Sequence, residues 1–390
     1  MTRIVKLLLV SGDGTLQGVL PPFEAELPYW QEMTDVVRLA RSRYGVDLTV
    51  LRLLSSQRST PHGGIVTYLA QVDAEVTTPL GPADPAARAV AMSTEPLRAP
   101  YATIDGPARS LRWARDVLGP VRADQQRTWN LSAIWRLEGE SGVAWLKQVP
   151  DFFSHEPVAI GWITREVPGL APRLVAVGSQ GCQLLDDVNG DDLYTADAAT
   201  RVHIAGLAHQ FQVAALDACS TLVSLGVPDR RGAALNHWIR SELAGWTHDR
   251  RAVELLAGLD ERMDEVAACG VPATLVHGDA HPGNVRGAGD RLVFLDWGDS
   301  FVGHPGFDAL GLANGLGTKD EHLVLDAWAN LWERSVPGSD PRRAVELLRP
   351  VAALRSAAVY AAFVARIEPT ERAYHRADVP RMLDAAAAGG

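Results

Sequence analysis

Three successive patterns predict an α+β protein of more than one domain. Strand and helix signals alternate over residues 1–120, strands dominate 127–188, and helical periodicity takes over across 189–390. A chain of 390 residues with 47% hydrophobic content has ample material for more than one packed core.

In the first region, residues 4–10, 48–54 and 65–72 are short apolar runs rich in Val, Ile and Leu, as strands require. Between them, 29–44 carries apolar residues at helical spacing and meets Gly45, a residue suited to the left-handed turn that ends a helix. Residues 79–100 are rich in loop formers, and 108–118 predicts another helix. Gly119-Pro120 interrupts the pattern and marks a domain boundary. In the second region, 128–137 and 143–149 predict a pair of strands joined by the turn 138–142. Lys147 lies on the second of these within W-L-K-Q-V. A lysine among apolar neighbours on a strand points to one side, where phosphates could be met. A short helix is expected from Glu156, whose carboxylate could pair with Lys147; Glu166 is the alternative partner. Residues 170–188 continue the strands and end in L-L-D-D-V. Beyond Asp192, helices are expected over 198–225, 233–243, 251–268, 321–332, 342–366 and 380–388. His203 and His209 lie six apart, off the spacing that puts two metal ligands on one helix face.

Charge and cysteine usage narrow the function classes. The net charge is −10, and residues 1–126 hold 13 basic and 13 acidic side chains, so the whole excess lies beyond them. No basic stripe suits nucleic acid, whereas an acidic catalytic region suits a cationic small molecule. No apolar run approaches the roughly 20 residues of a membrane span. Cys182, Cys219 and Cys269 match no C-x-x-C spacing, which predicts reduced thiols and a cytoplasmic location.

The chemistry concentrates in 277–296, H-G-D-A-H-P-G-N-V-R-G-A-G-D-R-L-V-F-L-D. Phosphoryl transfer needs a carboxylate that orients a hydroxyl and takes its proton, together with oxygen ligands for Mg²⁺. Asp279 suits the first task, and Asn284 and Asp296 suit the second. The apolar strand 292–295 between them would bring all three to one cleft.

H-G-D-x-H-x-x-N followed by D-W resembles the catalytic and metal-binding loops of the aminoglycoside phosphotransferase and choline kinase family. The resemblance implies a bilobal protein-kinase-like fold, with a small β-rich lobe and a large helical one behind an accessory domain at 1–120. It implies ATP as donor, with GTP as an alternative, and Mg²⁺ as cofactor. Asp279 is then the catalytic base, and Asn284 and Asp296 are the metal ligands. Lys147 and Glu156 would align the α and β phosphates. Ser132 would help cap them, in a stretch, T-W-N-L-S-A-I-W, that lacks the family's glycines. Asp187 and Val188, at the end of the hinge strand, would meet adenine. His277 and His281 would shape the loop, and Asp308, in H-P-G-F-D, would brace it. The acceptor would face the base beside the C-terminal helices. There Trp297, Asp299, Tyr360, Arg366, Glu368, Glu371 and Tyr374 are candidates, with Asp299 and Glu368 singled out. It is expected to be an aminoglycoside or aminosugar; a sugar or amino alcohol, or a non-catalytic nucleotide-binding regulator, are the alternatives.

The first region carries a second resemblance. Residues 38–46, R-L-A-R-S-R-Y-G-V, have the outline of the Nudix-family helix, but Leu39, Ser42 and Arg43 stand where metal-binding glutamates would be. Without those carboxylates no hydrolysis is expected there.

Overall fold

The computed structural model describes residues 2–246 and 250–388, which divide into two compact units. The first unit comprises Met1–Asp151, Val175–Asp186 and Phe363–Ala377; the second comprises the remainder. Residues 1–120 and the following strands therefore share one unit, although they form separate sheets, and a late segment of the chain returns to them.

In the first sheet, β1 (Arg3–Ser11) lies parallel to β5 (Gly64–Val72), which pairs antiparallel with β4 (Thr49–Ser56). The short strands β2 (Leu16–Val19) and β3 (Phe23–Ala25) both pair with β1. Val5, Leu7 and Leu9 alternate with Leu8 and Val10, and both sets are buried, so β1 is covered on two faces. Helix α1 (Thr34–Tyr44) starts five residues later than its periodicity suggests and ends, as expected, with Gly45 in the left-handed conformation at φ 67°. Its Asp35 is fully engaged: Oδ1 accepts from the Arg3 guanidinium at 2.8 Å and Oδ2 from the Leu27 amide at 2.9 Å. Leu39, at one of the positions where a Nudix glutamate would stand, is core. Helices α2 (Pro85–Met92) and α3 (Gly106–Leu118) follow; Asp84 caps α2 by accepting from the Ala86 and Ala87 amides.

The second sheet has the order β6 (Val121–Trp129), β7 (Ser132–Gly139), β8 (Gly142–Gln148), β10 (Cys182–Asp186), β9 (Leu174–Val177). The expected single strand over 128–137 is broken, because a two-residue turn at Asn130 and Leu131 sets Trp129 opposite Ser132. The apolar pattern on either side fits a strand equally well, and it is the burial of the Asn130 side chain that places the turn.

The segment Phe363–Ala377 packs in this first unit through a 3₁₀ turn, Pro369–Tyr374. Glu371 there is buried; its Oε1 accepts from the Leu53 amide at 2.9 Å and its Oε2 from Asn130 Nδ2 at 3.2 Å. Burial, reinforced by the nearby Glu368, pushes its carboxyl from the ordinary 4.5 up to about 8, with Arg52 opposing. The folded chain thus holds this proton more tightly than the unfolded one. Stability should therefore be full below about pH 4.5 and fall as pH rises through about 8. Glu371→Gln cannot titrate. Calorimetric melting between about pH 5 and pH 9 should show the wild type losing ground to this variant as pH rises, and parallel curves would contradict the assignment.

The second unit is mostly helical. It contains α4 (Glu156–Glu166), α5 (Ala198–Ala214), α6 (Cys219–Ser224), α7 (Gly232–Leu243), α8 (Arg250–Ala257) and α9 (Leu259–Ala268). After them come α10 (Gly306–Ala313), α11 (Thr318–Ser335), α12 (Pro341–Arg366, of which 341–362 belong to this unit) and α13 (Asp378–Ala388). The expected helix over 198–225 breaks after α5. There the Gln212 carbonyl takes the Ala215 amide in a tighter turn and also the Thr274 hydroxyl. The expected helix over 251–268 breaks at Gly258, the residue least able to hold a helix apart from proline. By length and composition α12 could cross a membrane, contrary to the sequence expectation, but 67% of its apolar window is buried inside the protein, as in a core helix. Its Leu348, Val351 and Leu354 belong to the main core of this unit.

Two small sheets position the site. The strand β12 (Thr274–Val276) pairs antiparallel with β15 (Phe301–Gly303). The other sheet has the order β11 (Asp191–Asp192), β13 (Val285–Ala288), β14 (Arg291–Phe294). All three cysteines are free and buried.

Candidate active site

Strand pairing decides which residues meet. Val276 at the end of β12 lies opposite Phe301 at the start of β15. The loop 277–284 leaves that point and the loop 295–300 arrives there, so both emerge at the same edge of one strand pair. The hairpin of β13 and β14 connects them, with Val285 opposite Phe294. Asp279 and Asn284 on the first loop are thereby brought beside Asp296 on the second.

Side chains lock this arrangement. Asn284 Nδ2 donates to Asp279 Oδ2 at 2.8 Å and to the Asp279 carbonyl at 3.0 Å. The Asn284 amide oxygen takes no part in these two bonds. Asp279 and Asp296 are exposed, and Asp296 adopts a left-handed backbone at φ 61°. A non-glycine residue rarely holds that conformation unless its surroundings impose it, and such strain gathers at functional loops.

His277 is fully buried between the two loops. Its Nε2 faces the Leu295 carbonyl at 2.9 Å, and its Nδ1 accepts from the Asp279 amide at 3.3 Å. A carbonyl can only accept, so the proton sits on Nε2. Burial pushes the imidazole pKa down despite the pull of Asp308 and Asp279, and the ring is neutral. His281 folds its own turn, with Nδ1 accepting from the Gly283 amide at 3.0 Å. Both histidines shape the loop.

Asp308, at the start of α10, is the brace. Its Oδ2 accepts from the His277 amide and from Gln212 Nε2, and its Oδ1 from the Gly278 amide, each at 2.9 Å. Burial pushes its carboxyl pKa up, and His277 with these donors pulls it back. Gly278 has φ 84°, and a Cβ there would stand 2.0 Å from the Asp299 carbonyl oxygen, so only glycine fits.

Two residues that sequence reasoning passed over take part. Gln212 on α5 holds Asp308. Arg355 on α12 donates from Nη1 to the Gly278 carbonyl at 2.9 Å, with its guanidinium 4.5 Å from the Phe301 ring centroid. Burial lowers the Arg355 pKa while Asp299, Asp308 and Asp279 raise it. Each sits in an apolar helical pattern; the one available signal is a polar residue on an otherwise buried helix face.

Glu156 on α4 is buried and accepts the Trp297 amide at 3.0 Å, fixing the residue after Asp296. Asp299 is half-buried beside Arg355, which the Asp299 carboxylate helps keep charged. Tyr360 is largely buried, and its hydroxyl is pushed up to about 12 by burial, with Asp378 and Asp279 adding to the rise. Asp187 is exposed, and the Val188 carbonyl accepts from Arg286 Nε at 2.8 Å. In the first unit, Lys147 is buried on β8, opposite Ile134 of β7 and Gln183 of β10. Ser132 opens β7 and accepts from Trp129 Nε1 at 3.1 Å. Glu368 also lies in the first unit, buried, with its carboxylate 3.1 Å from Arg98 and 3.9 Å from Arg52. Two guanidinium groups thus engage the carboxylate proposed from sequence for an acceptor amine.

Residues 160–347 match the family model described as the phosphotransferase enzyme family. None of the curated proteins matches the sequence. Among solved structures, the fold is similar to that of choline kinase LicA from Streptococcus pneumoniae, with TM-score 0.54, 12% identity, and coverage of 72% of this chain and 99% of that one. It is similar to an ethanolamine kinase of Plasmodium vivax, with TM-score 0.51, 10% identity and coverage of 70% and 84%. An ADP-bound aminoglycoside phosphotransferase, APH(2'')-Ib, gives TM-score 0.51, 16% identity and coverage of 72% and 98%. At these identities the likeness establishes the fold: kinase-like α+β, with a β-rich N-terminal part and a helical C-terminal part.

Proposed function

We propose that this protein is a small-molecule kinase using ATP and Mg²⁺, on the premise that residues 160–347 match the model of the phosphotransferase enzyme family. The observation that carries the reading is the delivery of Asp279, Asn284 and Asp296 to one edge of the β12–β15 pair. In the reaction, the acceptor hydroxyl oxygen forms a bond to the γ-phosphorus as the bond to the β-γ bridging oxygen breaks. The hydroxyl proton passes to Asp279, and ADP leaves.

The donor set suits Mg²⁺: the exposed Asp296 carboxylate and the Asn284 amide oxygen, both hard oxygen ligands. A metal held there would supply positive charge against the phosphates. Asp296 and the Asn284 Oδ1 are the atoms that would hold it. Asn284 Nδ2 meanwhile orients the Asp279 carboxylate, so one side chain serves both parts of the site. Lys147 is assigned to the α and β phosphates, with Glu156 stabilising the loop that carries Asp296. Ser132 is assigned to the turn over the phosphates, and Asp187 and Val188 to the adenine-facing strand end. An ADP-bound relative with the same fold supports the nucleotide assignment.

The acceptor we infer is a cationic hydroxyl compound such as an aminoglycoside, aminosugar or amino alcohol. The fold is shared with choline, ethanolamine and aminoglycoside kinases, and the acidic excess lies beyond residue 126. Asp299, beside the catalytic loop, is the carboxylate assigned to it. Action on aminoglycosides would make the protein a resistance enzyme, and a cytoplasmic setting supplies the nucleotide. The test is coupled nucleotide consumption with ATP, GTP and Mg²⁺ over a panel of aminoglycosides, aminosugars, amino alcohols and neutral sugars. Turnover confined to cationic acceptors is expected. Turnover with neutral sugars alone would overturn the acceptor class, and nucleotide binding without turnover would favour a regulator.

A further inference from the structure

In the kinase reading above the turn at Asn130 and Leu131 lies over the phosphates, and in the structure it is fixed by side chains. Asn130 is buried, and both ends of its amide are engaged. Its Nδ2 donates to Glu371 Oε2 at 3.2 Å, and its Oδ1 accepts from His375 Nε2 at 2.8 Å. Glu371 is anchored in turn by the Leu53 amide. Burial pushes the His375 pKa down to about 3, so the ring is a neutral donor. Trp129 closes the turn through Ser132, and its ring lies 5.5 Å from that of Tyr374 and 5.4 Å from that of His375. The whole assembly lies within the first unit.

We propose that the segment Glu368–His375 is a positioning device for the nucleotide, setting the β6–β7 turn through Asn130 where a glycine-rich loop would otherwise adapt to the phosphates. Asn130, Glu371 and His375 are positioning residues in this assignment, which rests on the kinase reading above. A glycine loop reaches its phosphate-covering shape by conformational freedom and loses entropy on binding. A turn whose one polar side chain is clasped at both ends has already lost that freedom. Releasing the clasp should therefore weaken nucleotide binding more than it slows the chemical step.

The experiment measures ATP KM and kcat, nucleotide Kd by calorimetry, and Tm for the full chain. The variants are His375→Leu, His375→Gln, Asn130→Ala and Leu39→Ala. Loss of the clasp in His375→Leu and Asn130→Ala should raise KM and Kd by about tenfold, with kcat changed about twofold or less. His375→Gln, which keeps a donor, should recover most of the affinity. Leu39→Ala opens a cavity in the core of the same unit without removing a clasp hydrogen bond, and controls for stability alone. If it raises Kd as much as His375→Leu does at similar Tm, the clasp has no specific role. Unchanged Kd in the clasp variants, with wild type binding nucleotide, would overturn the positioning role and leave the kinase reading intact. Failure of wild type to bind any nucleotide would overturn both.

Discussion

Asp279→Asn should lose phosphoryl transfer by about 10²–10⁴-fold in kcat while keeping its fold and its nucleotide. In the mechanism proposed above the Asp279 carboxylate takes the acceptor proton, and an amide at the same place cannot do so. Its geometry should survive, because an Asn oxygen can accept from Asn284 Nδ2 as the Asp279 Oδ2 does at 2.8 Å. The side chain is 48% exposed, so little stability depends on it. The expected result is therefore a separation: kcat collapses, Tm stays within about 1 °C, and ATP Kd stays within about threefold. A variant retaining a tenth or more of wild-type turnover would remove Asp279 from the proton-transfer role.

That result would test the part of the site most legible in the sequence. His277, Asp279, Asn284 and Asp296 are local: their spacing, with one hairpin between them, determines which ends of β12 and β15 they flank. The bracing role of Asp308 was also readable, from H-P-G-F-D. What supports these residues was not. Gln212 and Arg355 come from helices whose polar members are few, and periodicity reports which face is buried without reporting what a buried polar group touches. The break between α5 and α6 has the same origin, since it depends on the Thr274 hydroxyl taking a carbonyl from another element.

The first unit shows a further limit. Strands β1, β4 and β5 and the end of α1 at Gly45 follow from local composition. The turn at Asn130 does not, because its position depends on Glu371 and His375, more than 200 residues downstream. Glu368 illustrates the same point. On a late helix it reads as a free carboxylate, yet Arg98 and Arg52, far away in sequence, have already engaged it.

Asp308→Asn should produce the opposite pattern to Asp279→Asn. The wild-type carboxylate accepts from three donors with two oxygens, all in a buried setting. An asparagine oxygen in place of Oδ2 can keep the His277 amide and Gln212. Its NH₂ group then faces the Gly278 amide, donor against donor. Leaving a buried amide unsatisfied costs about 1–3 kcal/mol, and repulsion between the two donors adds to that. At about 2–4 °C per kcal/mol for a chain of several hundred residues, Tm should fall by roughly 3–12 °C. The functional loss follows from the same bond. Gly278 lies next to Asp279, and its backbone is wedged against Asp299 with no room for a Cβ. A shift of its amide moves Asp279, and a displacement of about 1 Å at a reacting group can cost on the order of 10²-fold in rate. We therefore expect kcat to fall together with Tm, with ATP Kd less affected because Lys147 and Ser132, which we propose meet the phosphates, lie elsewhere in the chain. Thermal melting and steady-state kinetics on the same preparation decide it. A variant that melts with wild type and turns over at the wild-type rate would show that the loop holds its shape without Asp308. The shape would then rest on His277, His281, Asn284 and Arg355.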